Sequence, residues 1–180
     1  MEPEIYSIGH WNYSLEQLVG LLAQHEIKAL VDIRRFPGSR KFPHLGQQSL
    51  SAALPKAGID YHWLEALGGR RNSKKDGSTS VNLGLRNESF RNYADYMLTE
   101  EFRQGIKSLL EIAGKKRTAI MCAEAMFWRC HRRLVSDFLL THDITVQHIM
   151  PNGKLHPHTL TDGAKVEDRV LTYPGTDDVN

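Results

Sequence analysis

The stretch MCAEAMFWRCHRR, Met121 to Arg133, gathers both cysteines of the chain with a glutamate, a histidine and three arginines. These residue types could make a metal site, a redox pair, a catalytic thiol or an anion clamp. As zinc ligands, Cys122, Cys130 and His131 lack the C-x-x-C knuckle spacing, and a tetrahedron would need His10 or Glu124 to close it, so no metal is expected. A phosphatase-like loop needs an arginine at the position that Trp128 occupies when counted from Cys122. Nothing in the spacing brings the two sulfurs together as a redox pair. Cys130 has two readings. The commoner one is a small buried hydrophobe. The sharper one is a thiolate favoured by a helix N-terminus and nearby cations. Glu124 suits a general acid or base, and His131 an orienting hydrogen-bond partner.

Five strand-like segments would position this chemistry. EIYSIGH, KALVDIRR, IDYHWLEAL, KRTAIMCAE and ITVQHIM are short and apolar, and KALVDIRR is nearly continuous, as a strand covered on both faces should be. Helical spacing fills the gaps. Ser14 caps LEQLVGLLAQHEI, QSLSAALPKAG stops at Pro55 and Gly58, Glu88 to Ala113 is helical with a break near Thr99, and RCHRRLVSDFLLTH forms the last helix. On that helix Cys130, His131, Leu134, Val135 and Phe138 share one face, while Arg133 and Asp137 point away. The pattern predicts a three-layer α/β domain, Rossmann-like or flavodoxin-like, with a mostly parallel five-stranded sheet over residues 1–165. Residues 166–180 are expected to be a loose tail.

In open sheets of this kind, ligands bind beyond the carboxyl ends of the strands. Those ends carry His10, then Arg34 with Ser39 and Arg40, then Gly68, Gly69 and Arg70, then Glu124, followed by Arg129 and Arg132 at a helix start without an obvious cap. Arginine forks and helix N–H groups suit phosphate or carboxylate. The expected partner is therefore a small anionic, nucleotide-like ligand, with the chain acting as an enzyme or a binder. Glu124, His10, Cys130 and His131 are the catalytic candidates, and Arg34, Ser39, Arg40, Gly68, Gly69, Arg70, Arg129 and Arg132 the anion-binding ones. Asp32, inside an apolar strand, should be buried and paired, with an arginine as its structural partner. The alternative is a non-catalytic nucleic-acid module using the basic loops 34–41 and 68–77 with Phe36, Phe42 and Trp63 nearby. The three histidines of QHIMPNGKLHPHTLT share no helical face and are not read as ligands.

With 180 residues, 41% hydrophobic and 24% charged, the chain has the composition of a globular protein. A net charge of +2 leaves any basic character local. No apolar run approaches a membrane span and the N-terminus lacks a signal pattern, so a cytoplasmic location with reduced thiols is expected.

The pieces SIGH, LVDIRRFPGSRKFPH, YHWLEALGGRR, AIMCAEAMFWRCHRRLVSDFL and HIMPNGKLHPHTL, in this order, resemble the domain-of-unknown-function family DUF488 over most of residues 5–160. The resemblance implies the α/β fold and marks the same strand-end residues. It implies no activity and no cofactor. Trp11 departs from the small polar residue that usually follows the Gly-His of such proteins, which bears on the shape of the first turn.

Overall fold

The computed structural model describes residues 3–73 and 79–175. Strands β1 (Glu4–Gly9), β2 (Ala29–Asp32), β3 (Asp60–Trp63), β4 (Thr118–Cys122) and β5 (Thr145–Ile149) run parallel. They lie in the order β3-β2-β4-β1-β5, and β6 (Leu155–Pro157) adds an antiparallel edge to β5. The sheet thus has six strands, not five. The added strand is three exposed residues ending in proline, which offers no apolar signature and is tolerated only at an edge.

Helices α1 (Leu15–Gln24), α2 (Gln47–Ala53), α3 (Glu88–Tyr96), α4 (Glu100–Ala113) and α5 (Arg132–Thr141) form the outer layers. Their ends follow from local chemistry. Ser14 Oγ accepts the Gln17 backbone N–H and Gln17 Oε1 accepts that of Ser14, a reciprocal capping box. Thr99 Oγ1 accepts the Phe102 N–H and separates α3 from α4 at the expected break. Gly58 leaves the 3-10 turn after α2 at φ 79°, where a Cβ would be strained.

The strands alternate between two cores. Tyr6, Ile8, Leu30, Ala119 and Met121 pack with Leu18 and Leu22 of α1 and Leu50 of α2. Ile5, Val31 and Ile120 pack with Tyr93, Phe102, Ile106, Leu134 and Leu139 of α3, α4 and α5. Both faces of the sheet are covered, which explains the near-continuous apolar strands.

Two further expectations change. Residues 166–172 of the expected tail carry regular structure: β7 (Lys165–Glu167) and β8 (Val170–Thr172) form a hairpin whose two turn residues, Asp168 and Arg169, both have positive φ. Tyr173, 1% exposed, then docks, donating its N–H to Asn82 Oδ1 at 2.8 Å and accepting the Gly84 N–H at 2.8 Å. The three-residue strands are too short to show periodicity, and the Asn82 that anchors Tyr173 just after them lies some ninety residues earlier. Residues 176–180 of the expected tail lie outside the described residues. Asp137, expected to point outward, is fully buried.

The connection after β1 runs to β2 through α1 on one face, and the connection after the adjacent β4 runs to β5 through α5 on the other. Neighbouring strand ends that depart to opposite faces form a switch point, the place where sheets of this class open a crevice. Here the two exits are in contact: His10 N–H donates to Cys122 O and Trp11 N–H to Ala123 O, both at 2.9 Å. A Cβ on Gly9 would sit 1.6 Å from the Glu124 carbonyl oxygen, so only glycine lets the β4 exit cross over β1.

Candidate functional site

A cavity of about 570 Å³ opens at this switch point. It is lined by the β1 exit (His10, Trp11), the β2 exit (Arg34 to Phe42 in part), Gly69 and Arg70 after β3, and Cys122, Glu124, Arg129, Cys130 and His131 around the β4 exit. Four strand ends that are distant in sequence therefore meet at one pocket. Of the candidates named from sequence, Gly68 and Arg132 lie outside the lining.

Its floor is a closed ionic cluster. Asp32, 0% exposed, accepts from Arg34 backbone N–H at 3.1 Å, Nε at 2.9 Å and Nη2 at 2.7 Å, and from the Tyr61 hydroxyl. Arg34 Nη1 lies 3.2 Å from His10 Nε2. Burial would lower the Arg34 pKa, but its bonds to Asp32 prevail and raise it. Burial and the neighbouring Asp32 charge push the Tyr61 hydroxyl well up. Burial lowers the pKa of His10, whose Nδ1 faces the Trp11 carbonyl at 2.8 Å. Asp32 is thus the structural partner expected for a buried strand carboxylate, and Arg34 is engaged from within.

Arg132 is engaged even more completely. At 1% exposure its guanidinium donates to Cys122 Sγ from Nε at 3.2 Å, to Ser7 Oγ from Nη1 at 2.9 Å, and to the Glu124 and Ala125 carbonyls from Nη2 at 3.0 and 3.3 Å. It ties the β4 exit to β1 and turns no donor toward a ligand. The last helix starts later than expected. Phe127–Arg129 is a 3-10 turn, Cys130 is extended, and α5 begins at Arg132. The missing cap is sulfur: the Arg132 backbone N–H donates to Cys130 Sγ at 3.4 Å. His131 Nδ1 lies 3.3 Å from the same sulfur, and its Nε2 lies 2.7 Å from the Ile33 carbonyl oxygen.

Around the rim the charges are differently placed. Arg40, Arg70, Arg129 and Glu124 are exposed, and their side chains make no hydrogen bond or ion pair with any of the described residues. Ser39 Oγ accepts the Phe42 N–H at 2.9 Å and shapes its own loop. Arg35 donates to the Arg70 carbonyl at 2.6 Å and stitches the second loop to the first, while Arg71 donates to the Gly68 and Glu65 carbonyls at 2.9 and 2.6 Å and braces the second loop itself. Gly68 is pressed on the Arg35 backbone, 2.5 Å from a would-be Cβ, and Gly69 on the His131 ring at 2.9 Å. Their role is close packing. Trp11 has φ 41°, a strained value for a bulky residue, which gives the unusual side chain of this turn a structural counterpart. Residues 74–77 of the second basic loop lie outside the described residues.

A buried polar chain behind the pocket escaped sequence reasoning. Asp137 Oδ1 accepts from His158 Nε2 at 2.7 Å and from Thr161 N–H at 3.1 Å, and Oδ2 from the Tyr173 hydroxyl at 2.6 Å. His158 Nδ1 lies 2.8 Å from His148 Nε2, and His148 Nδ1 meets Ser7 Oγ. The His148 ring stacks on Phe127 at 3.8 Å, and burial, followed by the Arg132 charge, drives its pKa down to about 2. The sequence signals are Ser7 inside an apolar strand and the histidines of QHIMPNGKLHPHTLT, which share no helical face and so do not read as ligands.

Among the described residues, no group of three or more His, Cys, Asp or Glu side chains is placed to hold a metal ion. No helix among them is long and apolar enough to cross a membrane. No curated protein and no solved structure matches the chain. A family model does, over residues 14–139, a span running from the cap of α1 into α5 and holding every pocket-lining element except the β1 exit. With most of its length inside that match, the chain belongs to the domain of unknown function family DUF488.

Proposed function

We propose that the switch-point pocket binds a small anionic, phosphate-bearing molecule of nucleotide size, and that the protein acts on it as an enzyme. One observation carries this reading. Arg40, Arg70 and Arg129 line a single cavity without an internal partner among the described residues, while Arg34 beneath them is ion-paired and Arg132 is hydrogen-bonded at each of its three guanidinium nitrogens. Guanidinium groups kept free at a strand-end crevice suit bidentate capture of phosphate oxygens. The volume, about 570 Å³, lies within the usual range for small-molecule sites. Glu124 on the same wall is a candidate base, and His10 and His131 shape the floor.

Calorimetric titration with inorganic phosphate, AMP and ATP at low salt tests the reading. Binding is expected, weakened about tenfold by Arg129→Ala and again by Arg40→Ala, in line with the loss of one charged hydrogen bond each. Absence of binding to all three anions would overturn it. A second reading has one observation in its favour: Trp11 and Phe36 are exposed beside Arg40 and Lys41 at the pocket mouth, the aromatic-and-basic mixture of a single-strand platform. Affinity for oligonucleotides that falls steeply with salt, with none for mononucleotides, would favour that module instead.

A further inference from the structure

Cys130 has surroundings that a merely space-filling cysteine does not need. Its sulfur stands at the N-terminus of α5, receives the Arg132 N–H at 3.4 Å, faces His131 Nδ1 at 3.3 Å and borders the pocket. The histidine is held in one tautomer. Its Nε2 is 2.7 Å from the Ile33 carbonyl, which can only accept, so Nε2 carries the proton and Nδ1 presents its lone pair to the thiol. The ring cannot swing away: Tyr93 packs on it at 4.9 Å and the Gly69 backbone presses on its edge. Cys122, by contrast, is 1% exposed and spends its sulfur on the Arg132 Nε–H.

We propose that Cys130 is the nucleophile of this pocket, that His131 Nδ1 accepts its proton, and that its partner is an anionic electrophile. The last clause rests on the anion-binding reading above; the first two do not. In the step, the thiol proton passes to His131 Nδ1 and the sulfur electron pair forms a bond to an electrophilic carbon or phosphorus. The bond from that atom to its leaving group breaks, and the leaving group departs with the electron pair and takes the proton from His131. The geometry has electrostatic support. Burial pushes the Cys130 thiol up, but the Cys122 thiol, the Arg132 guanidinium and the Arg132 N–H outweigh it and leave it below its ordinary value, whereas burial drives Cys122 well above. Burial also lowers the pKa of His131, so its part in the step rests on the geometry of its Nδ1 lone pair facing the sulfur at 3.3 Å. The titratable and charged groups around this sulfur are Cys122, Glu124, His131 and Arg132, with Tyr93 across the imidazole.

Timed alkylation of the intact protein, resolved by site with peptide mass spectrometry, tests this. Iodoacetamide should modify Cys130 at least about tenfold faster than Cys122, with a pH midpoint below the roughly 8.5 of a free cysteine. Iodoacetate, an anion of nearly the same size, should gain on iodoacetamide relative to their ratio with free cysteine. His131→Gln should slow Cys130 alkylation about tenfold and move the midpoint up. If that variant does not fold, the wild-type profile and the internal comparison with Cys122 still decide. Cys130 reacting no faster than Cys122 overturns the nucleophile, even where calorimetry finds anion binding. Fast alkylation without iodoacetate preference leaves the nucleophile standing and overturns the anionic partner.

Discussion

Replacing Asp32 by Asn is expected to destabilise the fold by about 3–5 kcal/mol. The carboxylate is fully buried and accepts three N–H groups of Arg34 and the Tyr61 hydroxyl. An amide of the same shape fills the space but removes the charge that balances a guanidinium only 8% exposed. Breaking such a pair from one side leaves an uncompensated buried charge, which is the expensive case. At roughly 2–4 °C per kcal/mol for a chain of this size, Tm should fall by about 6–20 °C. Arg34→Met should cost a similar amount, because it strands the carboxylate instead. The double variant Asp32→Leu, Arg34→Met should recover most of the loss, since a buried ion pair contributes little beyond apolar residues of like volume. Urea titrations of the wild type, Asp32→Leu, Arg34→Met and the double variant close the cycle and measure the coupling directly. The reasoning fails if Asp32→Asn shifts Tm by under about 2 °C, or if Arg34→Met stays stable and instead loses anion binding. The second outcome would make Arg34 a ligand arginine.

Gly69→Ala should leave the fold largely intact yet slow Cys130 alkylation severalfold, because the new methyl meets His131 Nδ1 at 2.9 Å and must displace the ring; unchanged reactivity would show that His131 does not serve the thiol. Gly9→Ala should yield little folded protein, since its Cβ would overlap the Glu124 carbonyl at 1.6 Å and no flexible side chain can yield there; a variant with wild-type Tm would refute the crossing of the two strand exits. His148 gives a pH prediction. Its folded pKa of about 2 lies below an unfolded value near 6.5. Above 6.5 both states are neutral, and as pH falls below it the unfolded chain takes up a proton that the folded chain refuses. Stability contributed by the neutral ring is thus lost as pH falls, by up to about 1.4 kcal/mol per unit, or about 2 kcal/mol by pH 5. His148→Gln should remove that part of the slope, and equal slopes in variant and wild type would contradict it.

The layers were readable because each strand advertises burial on two faces and the helix ends carry their own chemistry. Ser14 and Thr99 bound α1 and α4 through hydrogen bonds that reach only three residues along the chain, so a local pattern sufficed. The edge elements failed for the converse reason. β6, β7 and β8 are three residues each, with mostly exposed side chains, too short for a period-2 pattern to show before the pairing with β5 or with each other is known. Asp137 illustrates the same limit within a helix. Its position on α5 suggested solvent, but His158 and Tyr173, distant in sequence by 21 and 36 residues, close over it. The strand-end rule found the pocket, yet it could not sort the arginines, because Arg34, Arg40, Arg129 and Arg132 look alike until the fold shows which ones meet internal acceptors.

That sorting has a structural cause. The Asp137 carboxylate anchors one end of the buried chain. His158 donates to it from Nε2, His158 Nδ1 lies 2.8 Å from His148 Nε2, and His148 Nδ1 meets Ser7 Oγ. At the other end, Ser7 Oγ accepts from Arg132 Nη1. The arginine is therefore held at its far end by a carboxylate it never touches, and its remaining donors point at Cys122 and at the carbonyls of the β4 exit. A guanidinium fixed in this way cannot rotate to follow a ligand. What it can do is keep a positive charge beside two sulfurs and hold the loop that carries Glu124 across Gly9. Arg40, Arg70 and Arg129 stand outside that network at the pocket rim, which is why the proposed capture is assigned to them.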